Sequence, residues 1–318
     1  ICGICGFVHS CSYCQSVEEA IGLEIPARAR YIRSLVLELE RIHSHLLWVG
    51  LACHFIGFDT LFMQVWRIRE PVMHLCESVT GHRKTYGSNL VGGVRRDVSD
   101  DQKRQIVEVL GKAEAELKAA VDAIIDDQSL LMRLQGTGIL SPEEARAYCV
   151  VGPTARGSGL AIDMRVDHPY AAYADLPVKA CVHDTCDNFA RTLVRIDELF
   201  NSFEIVRAAV DNMPTGPILE DIGSIPEGRK ALSGVEAARG EVVHYTETGP
   251  NNRPYRWRVR APSYVNLQAI PAILADGKLA DAPLGIGSID PCFSCTERLM
   301  VTDVASGKVR VVSRKELG

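Results

Sequence analysis

The chain has 318 residues, 47% hydrophobic and 24% charged, enough to bury a sizeable core in one large domain or two ordinary ones. A formal net charge of −5 argues against a nucleic-acid binder and against a polybasic lipid anchor. No apolar run approaches the roughly 20 residues of a membrane span, and the opening is not a basic-then-apolar signal segment, so any membrane association is expected to run through partner chains.

Eleven cysteines without secretory features read as reduced thiols, some buried and some metal-bound. The chain opens Ile1-Cys2-Gly3-Ile4-Cys5-Gly6-Phe7-Val8-His9, and near its far end stands Asp290-Pro291-Cys292-Phe293-Ser294-Cys295. A Cys-x-x-Cys turn aims two sulfurs at one point, so two such turns supply four thiolates to one metal centre. Small zinc ribbons place their second pair about 15–20 residues after the first. Here nearly the whole chain lies between, which implies a site closed by the entire fold. The absence of an initiator Met and the ligand candidate at position 2 carry the expectation that an N-terminal segment is missing.

In chain order, Cys11-Ser12-Tyr13-Cys14 is a third sulfur pair running into a helical stretch, read as core thiols with a second metal site as the alternative. From Pro26, a suitable first helical residue, Ile32, Leu35, Val36, Leu39, Ile42 and Leu46 recur at helical spacing, with Ser34, Glu38 and Arg41 on the opposite face. A second helix is expected from about Thr60 to Ser78, kinked or split by Pro71 and apolar nearly all round, hence deeply buried. Ser99 reads as the N-cap of a helix to about Ile125, with Ile106, Val109, Leu110, Ala113, Leu117 and Val121 inward. Ser141-Pro142-Glu143-Glu144 opens a short helix. Gly152-Pro153-Thr154-Ala155-Arg156-Gly157-Ser158-Gly159 is a close-packing loop rather than a phosphate cradle; Arg156 and Asp163 beside it suggest an ion pair. Pro177 is expected to open a helix to about Met213, with Val182, Cys186, Phe189, Leu193, Ile196 and Phe200 on one stripe. Short β-type runs follow, Val242–Tyr245 and Tyr255–Val259, then one more helix after Tyr264, and a hairpin-like tail around Ser306-Gly307. The expected fold class is mainly α, a large helical bundle with a small β segment. It reads as a single domain, with a helical core over about 15–235, a β-containing segment over about 236–265, and the cysteine motif and tail over 285–318.

The two cysteine pairs with His9 resemble the large (catalytic) subunit of [NiFe] hydrogenases. Arg33 to Leu47, Gly92-Gly93-Val94-Arg95-Arg96-Asp97 and the Gly152–Gly159 loop resemble its energy-converting, membrane-bound subgroup, which includes the Ech, CO-induced and formate-hydrogenlyase types. The same internal segments resemble the 49-kDa subunit of respiratory complex I. That relative lacks the four cysteines, so Cys2, Cys5, Cys292 and Cys295 favour the hydrogenase.

The resemblance implies a Ni–Fe centre whose iron carries CO and cyanide. Cys2 and Cys292 would be terminal to nickel, with Cys5 and Cys295 bridging the two metals. It implies that His9 hydrogen-bonds a bridging cysteine and that Asp290 joins a polar canopy. Glu236-Ala237-Ala238-Arg239-Gly240-Glu241 resembles the family's Glu-Ala-Pro-Arg-Gly-Glu, placing Arg239 near the open coordination position; Ala238 departs from the usual Pro. The base in heterolytic chemistry would be Cys292, Cys2 or Arg239. His43 and His45, two apart on the first long helix, are candidates for proton or charge transfer. The resemblance also implies a small partner subunit with a [4Fe–4S] cluster, a ferredoxin-type electron carrier, integral membrane subunits that translocate ions, and a place on the cytoplasmic side of the membrane. The family's proton-exit glutamate lies upstream of the first cysteine pair. Maturation cleavage in relatives falls where Arg298 stands, although the folded look of the tail favours its retention. Two alternatives remain open: a metal-free, complex I-like coupling or scaffold subunit, and a zinc-binding or redox structural protein using the same four sulfurs.

Overall fold

In the computed structural model, which describes residues 4–296 and 298–313, helix α1 (Gly6–Ile21) starts directly after Cys5. Helices α2 (Ala27–Ile56) and α3 (Asp59–Thr80) follow, each stopped by a left-handed glycine, Gly57 and Gly81. A short ladder of β1 (Asn89–Leu90) and β2 (Gly93–Val94) leads to α4 (Asp100–Asp126), which Ser99 and Gln102 open with a capping box. After α5 (Gln128–Leu134) comes α6 (Pro142–Ala147), opened by a second capping box from Ser141 and Glu144. Two single turns, α7 (Pro153–Arg156) and α8 (Met164–Asp167), precede the long α9 (Asn188–Asp211).

Strands β3 (Lys230–Ala237), β4 (Gly240–Thr248) and β5 (Pro254–Arg260) form one antiparallel sheet in that order. Then come α10 (Pro262–Asn266), α11 (Ile270–Leu274) and α12 (Ala282–Ser288). The tail is the hairpin of β6 (Arg298–Thr302) and β7 (Val309–Ser313). This is the expected mainly α architecture with small sheets. One large apolar core joins α1, α2, α3, α4 and α9, and a smaller one lies between α6, α7 and α11.

Four expectations need correction. Helix α9 starts at Asn188, not near Pro177. Cys186 stands at φ 61° and Asp187 caps the helix by accepting Ala190 N–H, so the preceding segment cannot continue it. Helix α3 runs unbroken through Pro71 and is buried on one side only, leaving Met63 65% and Trp66 38% exposed. The stretch after Tyr264 is three short helices, each with a proline in its first turn, where a missing N–H costs nothing. The β segment starts earlier, because Lys230–Ala237 pairs along its whole length with β4.

The polar side of α2 is buried as deeply as its apolar side: Ser34, Glu38, Glu40, Arg41, His43, Ser44 and His45 are all at most 2% exposed. A buried charge is tolerable only when paired and hydrogen-bonded. Glu38 accepts from Arg41 Nε, Arg165 Nη1, Tyr173 Oη and Ser202 Oγ. Glu198 accepts from His45 Nε2 at 2.7 Å and from Arg156 Nε at 2.9 Å. Arg156 also reaches Glu236 at 2.9 Å, and Asp163 lies 3.7 Å from it while pairing closely with Arg165. The expected Arg156–Asp163 ion pair is thus one edge of a network that ties α2, α8, α9 and β3 together.

Candidate metal centre

Helix α1 has no side-chain cap of its own and no acid in its first turn. Glu40 of α2 supplies the missing acceptor: its carboxylate takes the N–H groups of Phe7 at 2.8 Å and Val8 at 3.0 Å, and the Thr85 hydroxyl at 2.7 Å. Those amides sit just after Cys5, where an anion also meets the positive end of the helix. Glu18 and Arg33 add a buried bidentate pair, and Arg33 continues to the carbonyls of Leu90 and Gly93. The first cysteine turn is therefore fixed from beneath by α2.

The far end of the chain is carried to the same place. Trp48 Nε1 donates to the Gly287 carbonyl at 2.7 Å, and Arg195, stacked 4.1 Å over the Trp48 ring, donates to Ser288 O. Arg191 Nε holds Ser288 Oγ. Asp290 then turns the chain at φ 53°, a left-handed conformation that costs a non-glycine residue on the order of 1 kcal/mol or more. Cys292 N–H is held by Ser263 Oγ at 2.9 Å.

These two ends meet. A sulfur of Cys5, a sulfur of Cys295 and a ring nitrogen of His9 all lie within 4.8 Å of one another. Cys292 is buried, 7% exposed, but falls outside that mutual set, and Cys2 lies outside the described residues. The structure thus brings together three of the sequence candidates and sets Cys292 beside them.

Arg239 occupies the two-residue turn between β3 and β4, where Ala237 pairs with Gly240. Arg41 holds the approach to this turn through the carbonyls of Glu236 and Ala237. Gly152 (φ 68°) presses against it so closely that an added Cβ would stand 2.4 Å from Arg239 O, which accounts for the glycine-rich loop as a packing device. Arg239 is 5% exposed; its Nε donates to the Asp290 carbonyl at 2.7 Å and its Nη2 to Asp290 Oδ1 at 2.8 Å. Asp290 Oδ2 is buried with no hydrogen-bond partner among the described residues. Arg239 and the canopy candidate Asp290 are therefore partners, with one carboxylate oxygen left over among the described residues.

His43 and His45 are both fully buried, and burial first of all pushes their pKa values down, to about 3 and about 4. His45 is tied to Glu198, while neither ring nitrogen of His43 meets a hydrogen-bond partner among the described residues. Cys11 and Cys14 are buried in the core face of α1, and burial pushes both thiols up to about 12, as protonated core residues. Spacing in the sequence did not reveal Glu40, Ser44, His244, Trp257 or Ser263. Each acts across a long sequence separation, and no local pattern marks it.

The donor set suits a soft transition-metal centre: two sulfurs and an imidazole nitrogen converge on one point, and Asp290, two residues before Cys292, keeps an unpartnered carboxylate oxygen among the described residues. Residues 1–56 match the family described as nickel-dependent hydrogenase, and residues 56–226 and 223–298 match the respiratory-chain NADH dehydrogenase 49 Kd subunit. Formate hydrogenlyase subunit 5 of Escherichia coli (strain K12) is 46% identical over 318 residues, covering 100% of this chain and 56% of that protein. The chain thus spans little more than half of that relative. The membrane-bound hydrogenase subunit alpha of Pyrococcus furiosus is 38% identical over 335 residues, with 100% of this chain and 78% of that one covered. Among solved structures, a chain of the membrane-bound sulfane sulfur reductase, an archaeal respiratory membrane complex, superposes with a TM-score of 0.84 at 32% identity, covering 89% of this chain and 78% of that one. From the fold, the paired chain ends and these matches, the chain belongs to the family that unites energy-converting hydrogenase large subunits with the 49 Kd subunit of the respiratory-chain NADH dehydrogenase.

Proposed function

We propose that this chain is the catalytic large subunit of an energy-converting [NiFe] hydrogenase, interconverting protons and electrons with dihydrogen. The observation that carries the reading is the convergence of Cys5, His9 and Cys295 from opposite ends of the chain. Cys2, Cys5, Cys292 and Cys295 would hold the metals through their four thiolates. When bound, a Ni–Fe centre with CO and cyanide on its iron supplies the polarisation that weakens the dihydrogen bond.

The chain's own groups do the rest. Arg239, clamped by both the carbonyl and the carboxylate of Asp290, holds a permanent positive charge against the thiolates' negative charge. Asp290 Oδ2 offers a buried acceptor at the same edge. A proton released on heterolysis would go to a positioned base, Cys292 in first place, then Cys2; Arg239, already a charged guanidinium paired with Asp290, serves as a fixed cation and not as the base. The apolar core lies against one side of the site, where Cys5 and Cys292 are buried, while His9 and Cys295 are half-buried. No described helix is long and apolar enough to cross a membrane. In this reading the chain lies on the cytoplasmic side of the membrane, a small subunit carrying [4Fe–4S] takes the electrons, a ferredoxin-type carrier exchanges them, and integral membrane subunits couple the reaction to ion movement.

The match to the 49 Kd subunit over residues 56–298 favours one rival, a metal-free coupling subunit of a membrane oxidoreductase. Elemental analysis of the purified complex separates the two. About one nickel and one iron per chain, with infrared bands from CO and cyanide, support the hydrogenase; absence of both metals sinks it, and zinc without those bands supports a structural site. Cys295→Ser should abolish hydrogen evolution and metal retention, and an active, fully metallated variant would refute the ligand assignment.

A further inference from the structure

One line of side chains runs outward from the sulfur group. His9 Nδ1 lies 3.0 Å from His244 Nε2, and Trp257 Nε1–H donates to His244 Nδ1 at 3.2 Å. An indole nitrogen can only donate. Nδ1 of His244 is therefore its lone-pair nitrogen, Nε2 carries its proton, and that proton is aimed at His9 Nδ1. His9 Nδ1 is in turn an acceptor, so the proton of a neutral His9 stands on Nε2, the nitrogen left for the sulfurs. The opposite tautomer of His9 would set two N–H groups against each other.

We propose that Trp257 and His244 are positioning residues that lock His9 in the Nε2–H tautomer, so that it donates to a thiolate of the Cys5–Cys295 pair. The thiolate target rests on the metal-centre reading above; the tautomer itself does not. The sheet builds this line: His244 stands opposite Val259 and Trp257 opposite Thr246, so the two rings are diagonal neighbours on β4 and β5. Tyr13 packs against the Trp257 ring at 5.1 Å, and His244 and Trp257 rings are 5.6 Å apart. His244 is fully buried, and burial, then His9 beside it, push its pKa down to about 3, so its ring stays neutral. The line is a lock and not a proton exit, because a proton passed from His9 to His244 would meet an indole that accepts nothing. A hydrogen bond from a fixed donor draws charge off a thiolate and sets both its basicity and the metal's electron density.

The test is nitrogen-15 NMR of the full chain labelled at its nine histidines, with His9 and His244 assigned by substitution. Wild-type His9 should show a protonated Nε2 and a bare Nδ1. Trp257→Phe keeps the ring packing but removes the N–H, and should turn His9 into a tautomer mixture. His244→Gln, whose amide still donates, should preserve the wild-type pattern, whereas His244→Leu should lose it. A protonated Nδ1 on wild-type His9, or a Trp257→Phe spectrum unchanged at His9, overturns the lock. In the assembled, metal-loaded complex, Trp257→Phe should shift the CO stretching band and lower activity about 10-fold to 100-fold while retaining nickel and iron. An unshifted band overturns the thiolate target. Nickel and iron missing from the wild-type complex overturn the metal reading, a failure distinct from loss of the tautomer signal.

Discussion

Arg41 and Ser44, three residues apart on α2, face two buried polar regions that are built on opposite plans. Around Arg41, the carboxylates of Glu38, Asp163, Glu198 and Glu236 each have both oxygens engaged by guanidinium, hydroxyl, imidazole or backbone donors. Around Ser44, whose hydroxyl lies 3.4 Å from Arg239, Asp290 leaves one oxygen unpartnered, its backbone sits in a left-handed conformation, and thiols converge from both chain ends. A network whose acceptors are all engaged rigidifies and specifies, even with His45 Nδ1 unpartnered among the described residues; one with an acceptor left over keeps it ready for something that is not protein. Three guanidiniums stand among the four acids of the closed region. Burial pushes Glu236 upward while the arginines beside Glu38 and Asp163 hold those two down, so Glu236 takes a proton first as pH falls.

The contrast can be broken by experiment. The largest effect is expected from Glu38→Ala, which strips Arg41 and Arg165 of a buried partner and should cost about 3–5 kcal/mol of stability. Denaturant unfolding measures it, and a near-wild-type midpoint would mean the network is dispensable. Asp290→Asn preserves shape and the acceptor for Arg239, so it should leave that midpoint nearly unchanged while, in the proposed hydrogenase, lowering hydrogen turnover about 10-fold to 100-fold. Equal losses of stability and activity would erase the distinction between the regions.

Acid should act in two stages. His43 and His45 are held to about 3 and about 4, below the usual value of about 6.5. Below that value the unfolded chain binds protons that the folded chain refuses, so stability should fall as pH drops from about 6.5 towards 4. For Asp163, burial alone would raise the pKa, but Arg165 and Arg156 bring it to about 2; its stabilisation is complete above about 3.9 and is lost as pH falls through 2. Melting temperatures at pH 7.5 and 5 check the first stage, and a flat profile between them contradicts it. The smallest effect belongs to Asp97→Asn, which opens the partly exposed Arg28–Asp97 pair and should cost at most about 1 kcal/mol.

Much of this was readable in the sequence because it is written locally. Ser99 and Ser141 announce their helices through residues three positions on, and the paired cysteine motifs announce that the two ends of the chain meet. What sequence hid is tertiary. The apolar stripe on α2 was plain, but its polar side gave no sign that it too would be buried, since pairing with α9 and β3 decides that. Pro177 looked like a helix start because the apolar stripe extends back past Cys186, and only the left-handed turn there shows where the helix begins. Arg239 was legible through a motif; its grip on Asp290 was not, because the two come together only when β3–β4 folds against the segment after α12.

In the proposed metal centre, the meeting of Cys5 and Cys295 would also make metal capture a reporter of folding. In a disordered chain, bringing ends so far apart together costs about 5 kcal/mol in loop-closure entropy, which is more than a thousandfold in affinity. The folded chain holds them within 4.8 Å of one another. An ion that meets the unfolded polypeptide therefore gets two sulfurs at most from one motif, and only a completed, folded chain offers both motifs at once. Selectivity for the finished protein is thus set by topology, ahead of any selectivity among metals.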